Sequence, residues 1–235
     1  MQIIGLAILG IVVAYGFTDR SMATISAFDL HAFVVVLGGC TGAVLLSSSA
    51  RAALQTLLCV RELLPFGILQ PGTEQLEEER VRFAGLWREG KRAQAVEMAE
   101  GSSLLPIRKM LSLVLSRSSE NATDSAFLEL RHAEITRWQP ATSNWELLAR
   151  LGPSFGMVGT ITGMIQLFRN MGDDNLNLGA ALSLALIATL YGIAFGAGVA
   201  GPIGHYMRTL LDQRLGALSR CQKSVAELAE SGPRG

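Results

Sequence analysis

Apolar residues along this chain gather into four blocks separated by polar stretches. They are residues 3–17 (IIGLAILGIVVAYGF), 30–47 (LHAFVVVLGGCTGAVLLS), 151–168 and 178–203 (LGAALSLALIATLYGIAFGAGVAGPI). A helix that crosses a bilayer needs about 20 mostly apolar residues. The fourth block meets that length, the second and third come close, and the first is short. A secretory leader would carry basic residues ahead of the first block and a small-x-small cleavage site behind it. Only Met-Gln precedes it, and no convincing site follows. A short span with little tilt fits it better.

Between the second and third blocks the pattern changes to mixed polar and apolar positions at helical spacing. EQLEEERVRFAGLWREGKRAQAVEMAE combines both signs of charge with Leu76, Val81, Phe83, Leu86, Ala93 and Val96, an amphipathic helical pattern. GSSLLPIRKMLSLVLSRSS reads as a second helix and NATDSAFLELRHAEITRW as a third, with Asn121 or Thr123 as its N-cap. QPATS is expected to punctuate before the third apolar block. After the fourth block, leucine and alanine recur at helical spacing up to the closing GPRG. No strand-like alternation of any length occurs, so the expected fold is all-α. Its expected divisions are apolar helices over 1–50, a helical cytoplasmic domain over 51–146, apolar helices over 147–204 and a C-terminal cytoplasmic helix over 205–235.

The third block holds more small residues than a lipid-facing helix requires. Gly152, Gly156, Gly159 and Gly163 fall at i, i+4, i+7 and i+11, on one helical face, with Thr160 beside them. In the fourth block Ala185, Thr189, Gly192 and Gly196 repeat that spacing. Gly159–Gly163 and Gly192–Gly196 are both GxxxG elements, which let a second helix approach closely. Pro153 and Pro202 sit near the ends of these blocks, where freed backbone carbonyls could join the threonine hydroxyls as polar groups at membrane depth. Two readings of the pattern stand: simple helix packing, or a pathway for an ion.

Charge adds orientation and one constraint. Of 235 residues, 49% are hydrophobic and 17% charged, and the formal net charge is zero. Lys and Arg concentrate in 51–150 and beyond 204, whereas the connections 18–29 and 169–177 carry Arg20 and Arg169 alone. That bias places both termini and the long middle segment in the cytoplasm. No Lys, Arg, Asp or Glu lies within any of the four blocks. Ion pumps and transporters usually carry their own intramembrane carboxylate, so an ion passing here would take its titrating group from another chain. Cys40, Cys59 and Cys221 are scattered without a CxxC, and His31, His132 and His205 lie far apart. Neither a metal site nor an enzyme site is expected, and no cofactor or nucleic-acid partner is implied.

GPSFGMVGTITGMIQLF and LGAALSLALIATLYGIAFG…GPI resemble the paired third and fourth spans of the MotA/TolQ/ExbB proton-channel superfamily. FDLHAFVVVLGGCTGAVLLSS resembles the second span of its MotA/PomA branch, the flagellar stator subunits. REGKRAQAVE is similar to that branch's basic–acidic cytoplasmic element, and SVAELAESGPR to its C-terminal helix end. The resemblance implies a ring of typically five copies around MotB-like single-span helices, whose aspartate carries a proton or sodium ion. It implies that Pro153 and Pro202 match the prolines flanking the channel spans, and that Thr160 and Thr189 face the partner helix. It also implies that Arg88 and Glu97 match the charged pair that engages the rotor protein FliG. The Arg–Glu spacing is one residue longer than the family's pattern, so Glu100 or Arg92 are alternatives. An ExbB/TolQ-like energising subunit is the alternative to a stator. Both place the chain in a bacterial inner membrane.

Overall fold

A computed structural model of the chain describes residues 30–63, 73–169 and 178–230, and all the regular structure among them is helical. The apolar block at 3–17 lies outside the described residues. Two compact units divide the chain, one drawn from Met1–Val60 and Pro140–Tyr206, the other from Arg61–Gln139 and Met207–Gly235.

In the first unit, α1 (Leu30–Phe33) runs without a break through a π-helical segment (Val34–Gly38) into α2 (Gly39–Ser47). Ser48 is extended, at φ −127° and ψ 151°, and ends this run before α3 (Ala50–Leu63). A buried polar cluster fixes that corner. Ser48 donates to Asn144 Oδ1 at 2.5 Å, Asn144 Nδ2 donates to Thr56 Oγ1 at 2.8 Å, and Thr56 donates to Ala52 O at 2.7 Å. Trp145 Nε1 donates to Thr56 O at 3.1 Å. Burying these groups is tolerable because they satisfy one another. Cys40, Val44, Trp145, Leu148 and Ala200 pack beside this corner, joined by Phe155, Phe195 and Ile203.

In the second unit, α4 (Thr73–Arg88), α5 (Arg92–Gly101) and α6 (Leu105–Leu115) pack with residues 120–139 and 207–230. Phe83, Ile107, Met110, Phe127, Ala217, Cys221, Val225 and Leu228 form the core, each at most 2% exposed. Arg80 crosses the edge of this core, held by Glu77 and by Ser224 Oγ at 2.7 Å. Arg220 reaches the same carboxylate at 3.0 Å. Burial pushes the Cys221 thiol up to about 12.

Three local expectations are corrected. The mixed-charge stretch is two helices, because Gly90 adopts φ +77° and the Lys91 N–H returns to Leu86 O at 3.0 Å. This left-handed glycine stop makes Arg88 the last residue of α4. QPATS does not interrupt: α7 runs from Glu120 to Arg169 through both Pro140 and Pro153. An internal proline costs a helix about 3 kcal/mol, but Trp138, Ala141, Thr142 and Trp145 around Pro140 are all buried, and their packing carries the helix across. The cap of α7 is Ser119, whose hydroxyl accepts from Ala122 N–H at 3.4 Å, and not Asn121 or Thr123.

After α7, α8 (Leu178–Ile193) passes through a second π-helical segment (Ala194–Ala200) into α9 (Gly201–Glu230). Among the described residues one helix, Ala185–Ala229, is long and apolar enough to cross a membrane, and Val34–Ser47 is a shorter apolar helix.

Candidate functional site

The two small-residue faces meet each other. A Cβ built on Gly152 would stand 2.6 Å from Gly192 O and 2.7 Å from Gly196 Cα. One on Gly156 would lie 3.1 Å from Thr189 Cα and 3.3 Å from Gly192 Cα. Further along, Gly159 and Gly163 face the Cβ atoms of Ala188 and Ala185, at 2.5 and 2.9 Å. On the other side Gly192 and Gly196 face Gly152, Gly156, Pro153 and the Ala149 carbonyl. Ordinary carbon contacts lie at about 3.5–4.0 Å, so the backbones approach to a distance that excludes side chains at these glycines. The seam is closed within the chain, and Gly152, Gly156, Gly159, Gly192 and Gly196 are buried in it.

Two threonines supply the seam's polar chemistry. Thr160 Oγ1 lies 3.1 Å from Gly156 O and 3.2 Å from Ala185 O, and it hydrogen-bonds with Thr189 Oγ1. Thr189 Oγ1 lies 3.3 Å from Gly156 O. Four oxygens from two helices therefore converge, with only two hydroxyl hydrogens among them. Both threonines are half-buried, at the rim of the seam. Hydroxyl and carbonyl oxygens are hard, neutral ligands suited to a small cation, and hydroxyls also both donate and accept. Neither group titrates near neutral pH. Among the described residues, no group of three His, Cys, Asp or Glu could hold a metal ion.

Beyond this cluster the exposed positions over 157–168 and 182–193 are mainly apolar. Met157, Val158, Ile161, Ile165 and Phe168 are exposed on α7, and Leu182, Leu186, Leu190 and Ile193 on α8. Pro153 lies inside the seam, whereas Pro202, the second residue of α9, is exposed. Sequence reasoning missed Ala188, which fills the seam opposite Gly159; its i+3 spacing from Ala185 was the available signal. It also missed Phe155, whose ring covers the position a Cβ on Gly39 would take, and no local pattern marks that contact.

In the second unit Arg88 ends α4 and forms an ion pair with Glu227 at 2.6 Å; the two side chains are 59% and 60% exposed. Glu97 is exposed on α5. Arg92 lies over the Trp87 ring, 5.6 Å from its centroid. Glu227, 139 residues from Arg88, was not among the expected residues.

Comparison with known proteins places this geometry in a family. Residues 103–219, about half of the chain, match the model of the MotA/TolQ/ExbB proton channel family. Motility protein A of Aquifex aeolicus is 41% identical over 71 residues, which cover 30% of this chain and 28% of that relative's length. Chemotaxis protein PomA of Vibrio alginolyticus is 24% identical over 210 residues, or 88% of this chain and 81% of PomA. The fold is that of the C. jejuni MotAB structure, with a TM-score of 0.81 at 13% identity over 97% of this chain and 88% of that one. The flagellar MotAB stator complex from Bacillus subtilis is equally similar, with a TM-score of 0.80 at 18% identity over 97% and 89% of the two chains. The family model's match takes in the whole glycine seam, and the chain belongs to the MotA/TolQ/ExbB proton channel family.

Proposed function

We propose that this chain is the stator subunit of an ion-driven rotary motor. Four membrane spans, with a helical cytoplasmic domain between the second and third, hold it in a bacterial inner membrane with both termini in the cytoplasm. Typically five copies surround the single-span helices of a MotB-like, peptidoglycan-binding partner. A proton or sodium ion is the transported species. The cytoplasmic unit passes torque to a FliG-like rotor through exposed charges that include Arg88 and Glu97.

The observation that carries this reading is the Thr160–Thr189 oxygen cluster on a seam that holds no carboxylate. Oxygen ligands without a titrating group can steady a cation but cannot exchange a proton on their own. The missing carboxylate is supplied by the partner, and an aspartate on its helix beside the threonine rim completes the site. Relatives named motility protein A and PomA favour a motor over an outer-membrane energiser.

Ion flux measured in vesicles tests this, first with the chain alone and then with its MotB-like partner. Flux is expected only when both are present, and it is abolished when the partner's membrane aspartate becomes asparagine. Selective flux through this chain alone would overturn the reading.

A further inference from the structure

Three backbone irregularities of the first unit converge on one turn of α7. Pro153 interrupts α7's own hydrogen-bond ladder, because it has no N–H to return to Ala149 O. The π-helical segment Ala194–Ala200 lies directly against it: a Cβ on Gly196 would meet Pro153 Cδ at 2.6 Å and Ala149 O at 2.8 Å. The other π-helical segment, Val34–Gly38, ends at Gly39, which packs under the ring of Phe155. π-helical turns are rare and each accommodates a surplus residue in an α-helix. Two of them meeting a proline at one level calls for an explanation.

Phase supplies one. Gly196 faces Gly152 and Ala149, and Gly204 faces Trp145 and Glu146, so both belong on the side of their helix that meets α7. In an unbroken α-helix Gly204 would stand about 80° around the axis from Gly196; with one residue absorbed between them the offset falls to about 20°. The Gly201 N–H reaches back five residues to Gly196 O, which is the bond that absorbs it. The surplus residue therefore leaves both glycines seated against α7. An α-helix one residue shorter would seat them equally well, so packing does not explain why the residue is kept.

We propose that Ala194–Ala200 is a hinge built into the fourth apolar helix. Its surplus residue weakens the ladder at the level of Pro153, and the helix segments on either side of it bend there while the glycine seam stays closed. The hinge is a property of the fold and stands whether or not the chain is a stator; its use in motion rests on that reading.

Deleting Ala197 in the full-length chain, expressed with its partner, tests the proposal. Removal of one residue from the π segment restores a continuous α-helix and keeps both glycines in phase. Membrane abundance and the thermal midpoint should then match or exceed those of the unaltered chain. Deleting Leu186 from the regular part of α8 instead turns everything beyond it by about 100°, and that variant should be lost from the membrane. In the intact chain the amides of Gly198–Gly201 should exchange hydrogen about ten-fold faster than those of Leu186–Leu190, as a locally weak ladder does. Loss of the Ala197 deletion to the same extent as the Leu186 deletion overturns the surplus residue. Equal exchange in the two stretches of the intact chain overturns the weak point. Cells carrying the Ala197 deletion at normal abundance should swim poorly, and full motility would overturn the hinge's use. Cells that swim normally without this chain at all would instead refute the stator reading.

Discussion

Gly152→Ala adds a single methyl group where the seam is backbone against backbone, and its effect can be worked from the geometry. The new Cβ would stand 2.6 Å from Gly192 O, 2.7 Å from Gly196 Cα and 2.8 Å from Gly196 N. All three are backbone atoms, so no side chain can rotate out of the way. Relief requires α7 and its neighbour to separate by about 1 Å, the shortfall from a normal carbon contact. Overpacking of a dense interior costs about 1–3 kcal/mol, and alanine's better helix propensity returns up to about 1 kcal/mol. A net loss of about 1–2 kcal/mol lowers the midpoint of a chain this size by roughly 2–8 °C. Gly42→Ala is the control. It lies in α2 with nothing within 4 Å of its built Cβ, so only the propensity gain applies and its midpoint should hold or rise. Thermal unfolding of the purified full-length protein in one detergent, followed by circular dichroism, reads both variants. A Gly152→Ala midpoint at or above that of the unaltered chain, with Gly42→Ala unchanged, would refute the close-approach argument.

Thr160→Val and Thr189→Val keep the side-chain volume but remove a hydroxyl from the oxygen cluster; ion-coupled rotation should slow several-fold, with serine at either position milder, measured as bead-rotation speed at fixed membrane abundance. Equal rates for valine and serine would show that the hydroxyl has no role. Arg88→Glu breaks only an exposed ion pair with Glu227, a class worth about 0–1 kcal/mol, so abundance should hold while swimming speed falls; unchanged swimming would leave Arg88 an ordinary surface residue. The Glu77 carboxyl is held below its ordinary 4.5 chiefly by the Arg80 hydrogen bond, with Arg220 assisting. A depressed carboxylate stabilises the fold above its unfolded value and loses that contribution as pH falls through its folded one. Glu77→Gln should therefore lower the midpoint at pH 7, and the gap from the unaltered chain should close on acidification below pH 4.5. A gap that does not narrow on acidification would assign the effect to something other than charge.

Much of the seam was legible because its determinant is local. Glycine at i, i+4, i+7 and i+11 defines a face whatever lies across it, and Gly152 to Gly163 and Ala185 to Gly196 present such faces. Helix ends were less legible. Pro140 carries a strong stop signal, yet burial of Trp138, Ala141 and Trp145 outweighs it, and burial depends on residues distant in sequence. Gly90 reads as tolerable within a helix until its positive φ is seen. The π segments have no signature in composition, because a surplus residue matters only through the phase of contacts on either side of it. Glu227 escaped for a related reason: an exposed pair across 139 residues leaves no local pattern.

Both units are assembled from separated stretches of chain, and this bears on biosynthesis. The corner at Ser48 and Thr56 finds its long-range partners in Asn144 and Trp145, 88 to 96 residues later. While the intervening stretch is being made, the Ser48 hydroxyl must be satisfied by water or by the insertion machinery, and Thr56 keeps its local bond to Ala52 O but lacks its donors Asn144 and Trp145. The second unit meets the same delay, because its core lacks Ala217, Cys221, Val225 and Leu228 until those residues have been made, more than a hundred positions after Phe83 and Ile107. Contacts this distant in sequence slow folding and prolong the exposure of apolar surface. A nascent chain that stalls before residue 217 would hold Phe83, Ile107 and Phe127 without the helix that covers them, a form that quality-control proteases can recognise and remove.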